Sequence, residues 1–324
     1  MKHLSLFFLF VIVPLITNAF DAKINDVYYN FMGDNASVTS SGSTRSYTGK
    51  VVIPSSVIYN NKTYVVTSIG NNSFETCPDL TEVSIPNSVT SIGNFAFANC
   101  FKLETITLPE NLSTIGKQAF KSCKSISNIT IPNNVVSIGE RAFWACQKLS
   151  TISLPNKLKI INEGTFQNCS GLISINLNPG ITEIGAQAFS GCSKLTSVNI
   201  PNSVTTIGSK AFFGCSGLKS ISLSESLSVI NDATFKGCKS LASITIPKSV
   251  IEIKSEAFVG CCEIKDVYCN PINPPKIGLD IIGYYYQIFE ESILSTATLH
   301  VHMTSLNNYN STDPWSLFKK IVKL

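Results

Sequence analysis

Apolar residues return along most of this chain on a fixed step of 23. Phenylalanines keep that step from Phe74 to Phe258, isoleucines from Ile69 to Ile253 and cysteines from Cys77 to Cys261. From one cysteine to the next the unit reads C-x-x-L-x-x-[IV]-x-[IL]-P-x-x-[VL]-x-x-I-G-x-x-[AT]-F-x-x, and eight full units fill residues 77–260 without insertion or deletion. In the first of them Leu80, Val83 and Ile85 predict a short strand, its last two inward residues alternating as a pleat requires. Pro86 ends it, because proline donates no ladder hydrogen bond. Val89 and Ile92 predict a second short extended piece, after which Gly93 is expected to permit a tight turn. Ala96, Phe97 and Cys100 then fall at i, i+1 and i+4, which suits one turn of α- or 3₁₀-helix.

One such unit cannot fold alone. Its few inward apolar side chains do not offset the entropy of ordering the whole unit, and only stacking lets successive strands pair over a continuous core. The predicted fold is therefore a β-rich repeat solenoid, with parallel strands joined by short helical or 3₁₀ turns. At the usual strand separation its full units extend roughly 40 Å. Asn178 and Ser224 interrupt the proline column, and Asn162, Asn231 and Lys254 the glycine column. Asparagine tolerates a positive φ, so Asn162 and Asn231 are expected to preserve the turn.

Both ends leave the period. Val51-Val52-Ile53-Pro54 matches the strand motif, but Ile69 arrives late, and the intervening residues read as a hairpin turning on Asn60-Asn61. Residues 26–31 and 36–39 are predicted strands that cover the first open edge. At the far end Val267 keeps register, Cys269 takes an Ile/Leu site, and Asn270-Pro271-Ile272-Asn273-Pro274-Pro275 breaks the pattern. Tyr284, Tyr285, Tyr286, Phe289, Trp315 and Phe318 supply apolar bulk to seal the last coil. The expected organisation is a leader over residues 1–19, an N-terminal β cap with an atypical first repeat over 20–76, the eight repeats over 77–260, and a partial repeat with C-terminal cap over 261–324.

The strand L-x-x-[IV]-x-[IL] followed by I-G-x-x-[AT]-F-x-x-C resembles the leucine-rich repeats of the BspA-like class, over roughly residues 50–270. The resemblance implies an exported protein of a host-associated bacterium or parasitic protist, acting in surface interaction or adhesion. It carries over no catalytic residue.

Export is also read from the first residues. Lys2 and His3 precede an apolar run from Leu4 to Ile16, and Thr17-Asn18-Ala19 offers a small residue for cleavage. Pro14 interrupts the run, which is shorter than a membrane span. The expected location is secreted or cell-surface, with the periplasm as alternative, and no span remains after the leader is removed.

Composition narrows the chemistry. A net charge of +4 on 324 residues gives no concentrated basic stripe, so nucleic acid is not an expected partner. The three histidines are His3, His300 and His302, which denies most of the chain a histidine base. No phosphate loop, metal-ligand spacing or cofactor motif is present, and the chain is read as a non-enzyme. The ladder cysteines are expected to be buried free thiols, since equivalent cysteines in adjacent coils point the same way rather than converge. Cys262 and Cys269 lie off the ladder, and their pairing is left open. His300 and His302 flank Val301 and, on a strand, would share one exposed face.

The candidate surface lies on the outward strand positions. They are Glu82 and Ser84, Thr105 and Thr107, Asn128 and Thr130, Thr151 and Ser153, and their equivalents through Ser243 and Thr245. All sixteen but Glu82 are Ser, Thr or Asn. That neutral face lacks the paired carboxylates of a glycosidase, which sets aside a polysaccharide-active enzyme. Trp144 and Phe213 occupy a column of mostly small or polar residues after the repeated phenylalanine, and Trp144 is the strongest single contact candidate. The expected role is recognition of an extracellular or host protein, or a glycan, by a monomer. The alternative is a self-assembling structural component of the cell surface.

Overall fold

Each unit of this computed structural model, which describes residues 20–42, 46–278 and 287–324, makes one coil with three sides. The leader over residues 1–19 and Tyr284, Tyr285 and Tyr286 lie outside the described residues. The first side is the predicted strand, seen as Leu80–Ser84, Thr105–Thr107, Asn128–Thr130, Thr151–Ser153, Ser197–Asn199, Ser220–Ser222 and Ser243–Ile246. Where neighbouring coils pair they do so in parallel and in unshifted register, Glu82 opposite Thr105 and Ser197 opposite Ser220, and the ladder is interrupted between Thr105–Thr107 and Asn128–Thr130 and between Ser220–Ser222 and Ser243–Ile246. In the coil that begins at Cys169 the strand shrinks to one bridge, Ser174 to Ser197. The second side is the shorter extended piece, two residues long in Ser91–Ile92 and its equivalents.

The third side takes the i+3 hydrogen bonds of a 3₁₀ turn but never becomes a helix. Ala98 N–H donates to Phe95 O at 3.0 Å and Cys100 N–H to Phe97 O at 3.3 Å. Phe95 and Asn99 are left-handed, with φ of 56° and 62°, which breaks the run twice per coil. Alternate amides are thereby turned toward the next coil. Phe95, Phe97 and Asn99 N–H donate to Lys117, Ala119 and Lys121 O at 2.7–2.8 Å. Every side of the solenoid therefore carries hydrogen bonds from coil to coil.

The glycine column has a different cause from the one expected. Gly93, Gly116 and Gly139 do not have a positive φ; the left-handed positions lie two and six residues further on. What excludes a side chain is the neighbouring backbone. A Cβ would sit 2.7 Å from Asn71 N at Gly93, 2.5 Å from Gly93 C at Gly116 and 2.6 Å from Gly116 C at Gly139. This close approach lets each glycine N–H reach the isoleucine carbonyl of the coil before, as from Gly116 to Ile92 at 2.8 Å. Asn162 and Asn231 do not adopt a positive φ either. Their side-chain Nδ2 replaces the backbone donor, reaching Ile138 O at 2.6 Å and Ile207 O at 2.7 Å. The second strand column is cut at these two places, between Ser137–Ile138 and Ile160–Ile161 and between Thr206–Ile207 and Val229–Ile230. Lys254 keeps the backbone bond, to Ile230 O at 2.8 Å. In the proline column Asn178 Oδ1 accepts from Gly180 N–H at 2.8 Å and Ser224 Oγ from Ser226 N–H at 3.1 Å, so both side chains close the turn themselves.

A single file of phenylalanine rings runs through the core. From Phe74 to Phe258 successive rings lie 4.9–5.7 Å apart and within 14° of parallel. That separation agrees with the rise expected of stacked strands. Tyr47 meets Phe74 at 4.4 Å and ends the file at the N-terminal side, its hydroxyl donating to Thr39 O at 2.5 Å. At the other side Phe289 stacks on Phe258 at 5.1 Å, and Trp315 and Phe318 then meet Phe289 edge-on.

Further strands extend the coils at both ends. Ser56–Tyr59 and Lys62–Ile69 form an antiparallel hairpin on Asn60 and Asn61, both with positive φ. Ala22–Ile24, Val27–Met32 and Asn35–Thr39 extend the second strand column through Lys62–Ile69. Thr298–Val301 and Lys320–Lys323 add two parallel strands beyond Asp266–Cys269.

The two kinds of glycine separate in a stability experiment. Gly214 has φ +68° and open space around its absent Cβ, so Gly214→Ala costs about 1 kcal/mol from backbone conformation. Gly139→Ala costs about 3 kcal/mol, because the coils must part to admit the methyl group. Urea unfolding midpoints measure both, and equal losses would contradict the steric account.

Candidate recognition surface

Hydroxyl groups on this solenoid have two fates, set by their column. On the edges between sides they bond to the coil before. Ser113 Oγ donates to Thr90 O at 2.9 Å, Ser150 Oγ to Ser127 O at 3.0 Å and Thr196 Oγ1 to Ile173 O at 3.2 Å. On the first strand side the outward residues are Thr105, Thr107, Asn128, Thr130, Thr151 and Ser153, with their equivalents to Thr245. All are exposed. Only Asn128 among these outward residues makes a side-chain bond within the chain, to Ser127 Oγ at 3.3 Å. The pleat that buries Ile129, Ile152 and Ile244 aims these groups at solvent. The result is a flat uncharged shelf of donors and acceptors. Its exception, Glu82, pairs with Lys50 at 2.8 Å.

Trp144 and Phe213 stand elsewhere. They belong to the turn side, where Phe213 is exposed and Trp144 half-buried with Lys121 Nζ 5.4 Å from its ring centre. The eight candidate residues thus divide into six on the strand side and two on the turn side, and do not converge on one site. Other charges on the turn side pair between coils, Lys117 with Glu140 at 2.7 Å and Arg141 with Glu163. The Lys117 ammonium, hydrogen-bonded to Glu140, holds that carboxyl below its ordinary range.

The ladder cysteines are buried free thiols that also donate hydrogen bonds, Cys77 to Glu75 O at 3.9 Å and each later one to a phenylalanine carbonyl of the coil before. Cys100 Sγ reaches Phe74 O at 3.0 Å, Cys123 reaches Phe97 O at 3.1 Å, and the pattern continues to Cys261 and Phe235 O at 3.1 Å. Cysteine thus fits the column as a small apolar group that can also satisfy a carbonyl. Burial pushes the Cys146 and Cys215 thiols up to about 12 and Cys123, Cys169 and Cys192 well above their ordinary value. Cys262 and Cys269 are not bridged; the first is exposed and the second is buried against the Tyr309 hydroxyl at 3.3 Å. Among the described residues no group of three or more His, Cys, Asp or Glu is placed to hold a metal ion.

The expectation for the histidines needs correcting. His300 lies on Thr298–Val301, but it is largely covered, with Nε2 2.8 Å from Asp266 Oδ1 and its ring stacked on Tyr268 at 4.5 Å. His302 lies past the strand and caps a 3₁₀ turn, Nδ1 accepting from Thr304 N–H at 3.3 Å. The strand ends at Val301, so the two do not share a strand face. Asp266 and Tyr268 occupy the next pair of outward positions after Ser243 and Thr245. That much was readable from the 23-residue step. The arrival of His300 was not, because residues 270–297 leave the period.

A family model for the BspA type leucine rich repeat region matches residues 67–196 and 159–282, in six copies. Among solved structures, a leucine-rich repeat protein from Bacteroides ovatus is 24% identical, covering 94% of this chain and 100% of its own, with a TM-score of 0.46. A leucine rich cell surface protein from Faecalibacterium prausnitzii is 22% identical over 93% of this chain and 94% of its own, with a TM-score of 0.45. The pneumococcal vaccine antigen PcpA is 18% identical over 94% of this chain and 98% of its own, with a TM-score of 0.49. No curated protein matches the chain.

Alkylation tests the buried ladder. The thiolate is the reactive form, and burial keeps it from forming at pH 8. Brief iodoacetamide treatment of the folded protein should therefore modify Cys262, and all 11 cysteines only after unfolding. Native labelling of Cys146 or Cys192, read by mass spectrometry, would contradict the packing.

Proposed function

The chain belongs to the BspA-type leucine-rich repeat family, and from that premise we propose that it is an exported, non-catalytic recognition protein acting at or outside the cell surface. Its ligand is an extracellular or host macromolecule, protein or glycan, that lies along the first strand side. One observation carries the reading. The hydroxyl and carboxamide groups from Thr105 to Thr245 stay free of internal bonds, apart from Asn128, while those of neighbouring columns are engaged between coils. Free groups repeated at every coil suit an extended partner better than a single small molecule. Thr105, Thr107, Asn128, Thr130, Thr151 and Ser153 are the central contacts. Trp144 and Phe213, on another side, serve a separate contact.

Export rests on the basic start, apolar run and small-residue exit of residues 1–19. No helix among the described residues is long and apolar enough to cross a membrane. The self-assembling alternative is disfavoured by the ends. The C-terminal edge strand Lys320–Lys323 carries Lys320 and Lys323, and lysines on an edge strand oppose its pairing with another copy. The working state is therefore a monomer.

Light scattering on the purified chain, followed by a screen against immobilised extracellular-matrix proteins and glycans, tests the proposal. A monomer that binds saturably is expected, with affinity at least tenfold lower in the Thr130→Arg, Ser153→Arg double variant and an unchanged unfolding midpoint. Ordered oligomers without binding, or binding indifferent to those substitutions, would overturn it.

A further inference from the structure

At its C-terminal end the shelf of small polar side chains meets a wall. Asp266–Cys269 continues the first strand column, and Thr298–Val301 pairs with it so that Tyr268 stands beside His300. The two rings stack at 4.5 Å and 20°, and His300 Nε2 lies 2.8 Å from Asp266 Oδ1. On the other side the register places Tyr268 beside Thr245 and Asp266 beside Ser243. His300 covers one face of the tyrosine ring. The opposite face lies on the Thr245 side, and Tyr268 is half-buried, so the ring is only partly covered. Tyr268 and His300 are the aromatic rings among the described outward positions of this column, so the step occurs once.

We propose that this step is a binding site for a neutral oligosaccharide, with one sugar ring stacked on the open face of Tyr268 and the following sugars laid along the shelf. The proposal rests on the recognition reading above and deepens it by naming the ligand class and the place where binding is anchored. Three physical points select a saccharide. An aromatic face carries partial negative charge and attracts the polarised C–H groups of a pyranose. The shelf from Thr105 to Thr245 bears no ionised side chain, so it offers nothing to an anionic chain but matches a neutral polyol, since each hydroxyl both donates and accepts. A protein partner of ordinary apolar content would strip water from these groups without replacing its bonds. His300 adds preorganisation. It holds the ring upright and holds one oxygen of Asp266, leaving Oδ2 to accept a sugar hydroxyl, so less freedom is lost on binding.

The test is an array of neutral gluco-, manno- and galacto-oligosaccharides with heparin and hyaluronan fragments, probed with the purified chain and followed by calorimetry on the best neutral hit. Binding of a neutral oligosaccharide is expected, at least tenfold weaker in Tyr268→Ala and within threefold of the parent in Tyr268→Phe. Thr245→Phe, which fills the space in front of the ring at an exposed position, should abolish binding while leaving the unfolding midpoint in place. Ile58→Ala, at an exposed position of the N-terminal hairpin, should leave it unchanged. Absence of neutral saccharide binding, preference for the anionic fragments, or affinity indifferent to Tyr268→Ala and Thr245→Phe would overturn the proposal. If the chain then binds a matrix protein, the saccharide site alone fails; if it binds neither, the recognition reading fails with it.

Discussion

Every coil of this protein lies about 5 Å above the one before it, and that separation selects the residue in nearly every column. Nine aromatic rings can be filed at this distance only if they are nearly parallel, and phenylalanine rings 4.9–5.7 Å apart satisfy it. The corner after the second strand must bring backbones closer still, and glycine is the residue without an atom in the way. Cysteine is small enough for the corner beyond the phenylalanine, and its thiol reaches a carbonyl that one backbone amide leaves half satisfied. None of these choices stabilises a single coil. They act between coils, which is why the unit has meaning only in the stack.

The same constraint separates structural from free polar groups. Serines and threonines on the edges between sides reach the preceding coil and bond to it. Those on the first strand side point along the pleat normal, where no coil lies, and only Asn128 uses its side chain within the chain. The polar shelf is thus the one surface of the repeat that coil stacking does not require to be polar in this way. Its length is set by the number of coils, and its end by the strand that carries Tyr268 and the strand that brings His300 beside it. The surface proposed for recognition and the fold therefore share a scaffold without sharing side chains.

Much of this was legible in the sequence, because a strict period converts one-dimensional spacing into columns. The strands, the buried isoleucines and phenylalanines, the hairpin at Asn60 and Asn61 and the sealing role of Phe289, Trp315 and Phe318 follow from the 23-residue step and where it fails. The glycine column was misread, since a glycine required by a neighbour and one required by its own φ look alike in a sequence. A clue was present: the two asparagines in that column are each followed three residues later by threonine, Thr165 and Thr234, where most coils have alanine. Both threonine hydroxyls donate to the asparagine carbonyl, at 2.8 and 2.6 Å. Tyr47, which ends the ring file, and His300, which joins Asp266 and Tyr268, lie outside the repeat and had no spacing to betray them.

The central claim is that coils are locked to one another through close backbone contacts at the glycine column, broken where asparagine replaces glycine, and native-state hydrogen exchange tests it most directly. The amides of Gly116, Gly139, Gly185 and Gly208 donate to the preceding coil at 2.7–2.8 Å and should be strongly protected. Those of Asn162 and Asn231, where the side chain donates instead, should exchange at least a hundredfold faster. Uniform protection along the column would contradict the account, because it would mean that asparagine leaves the ladder intact and that close backbone approach is not what glycine provides.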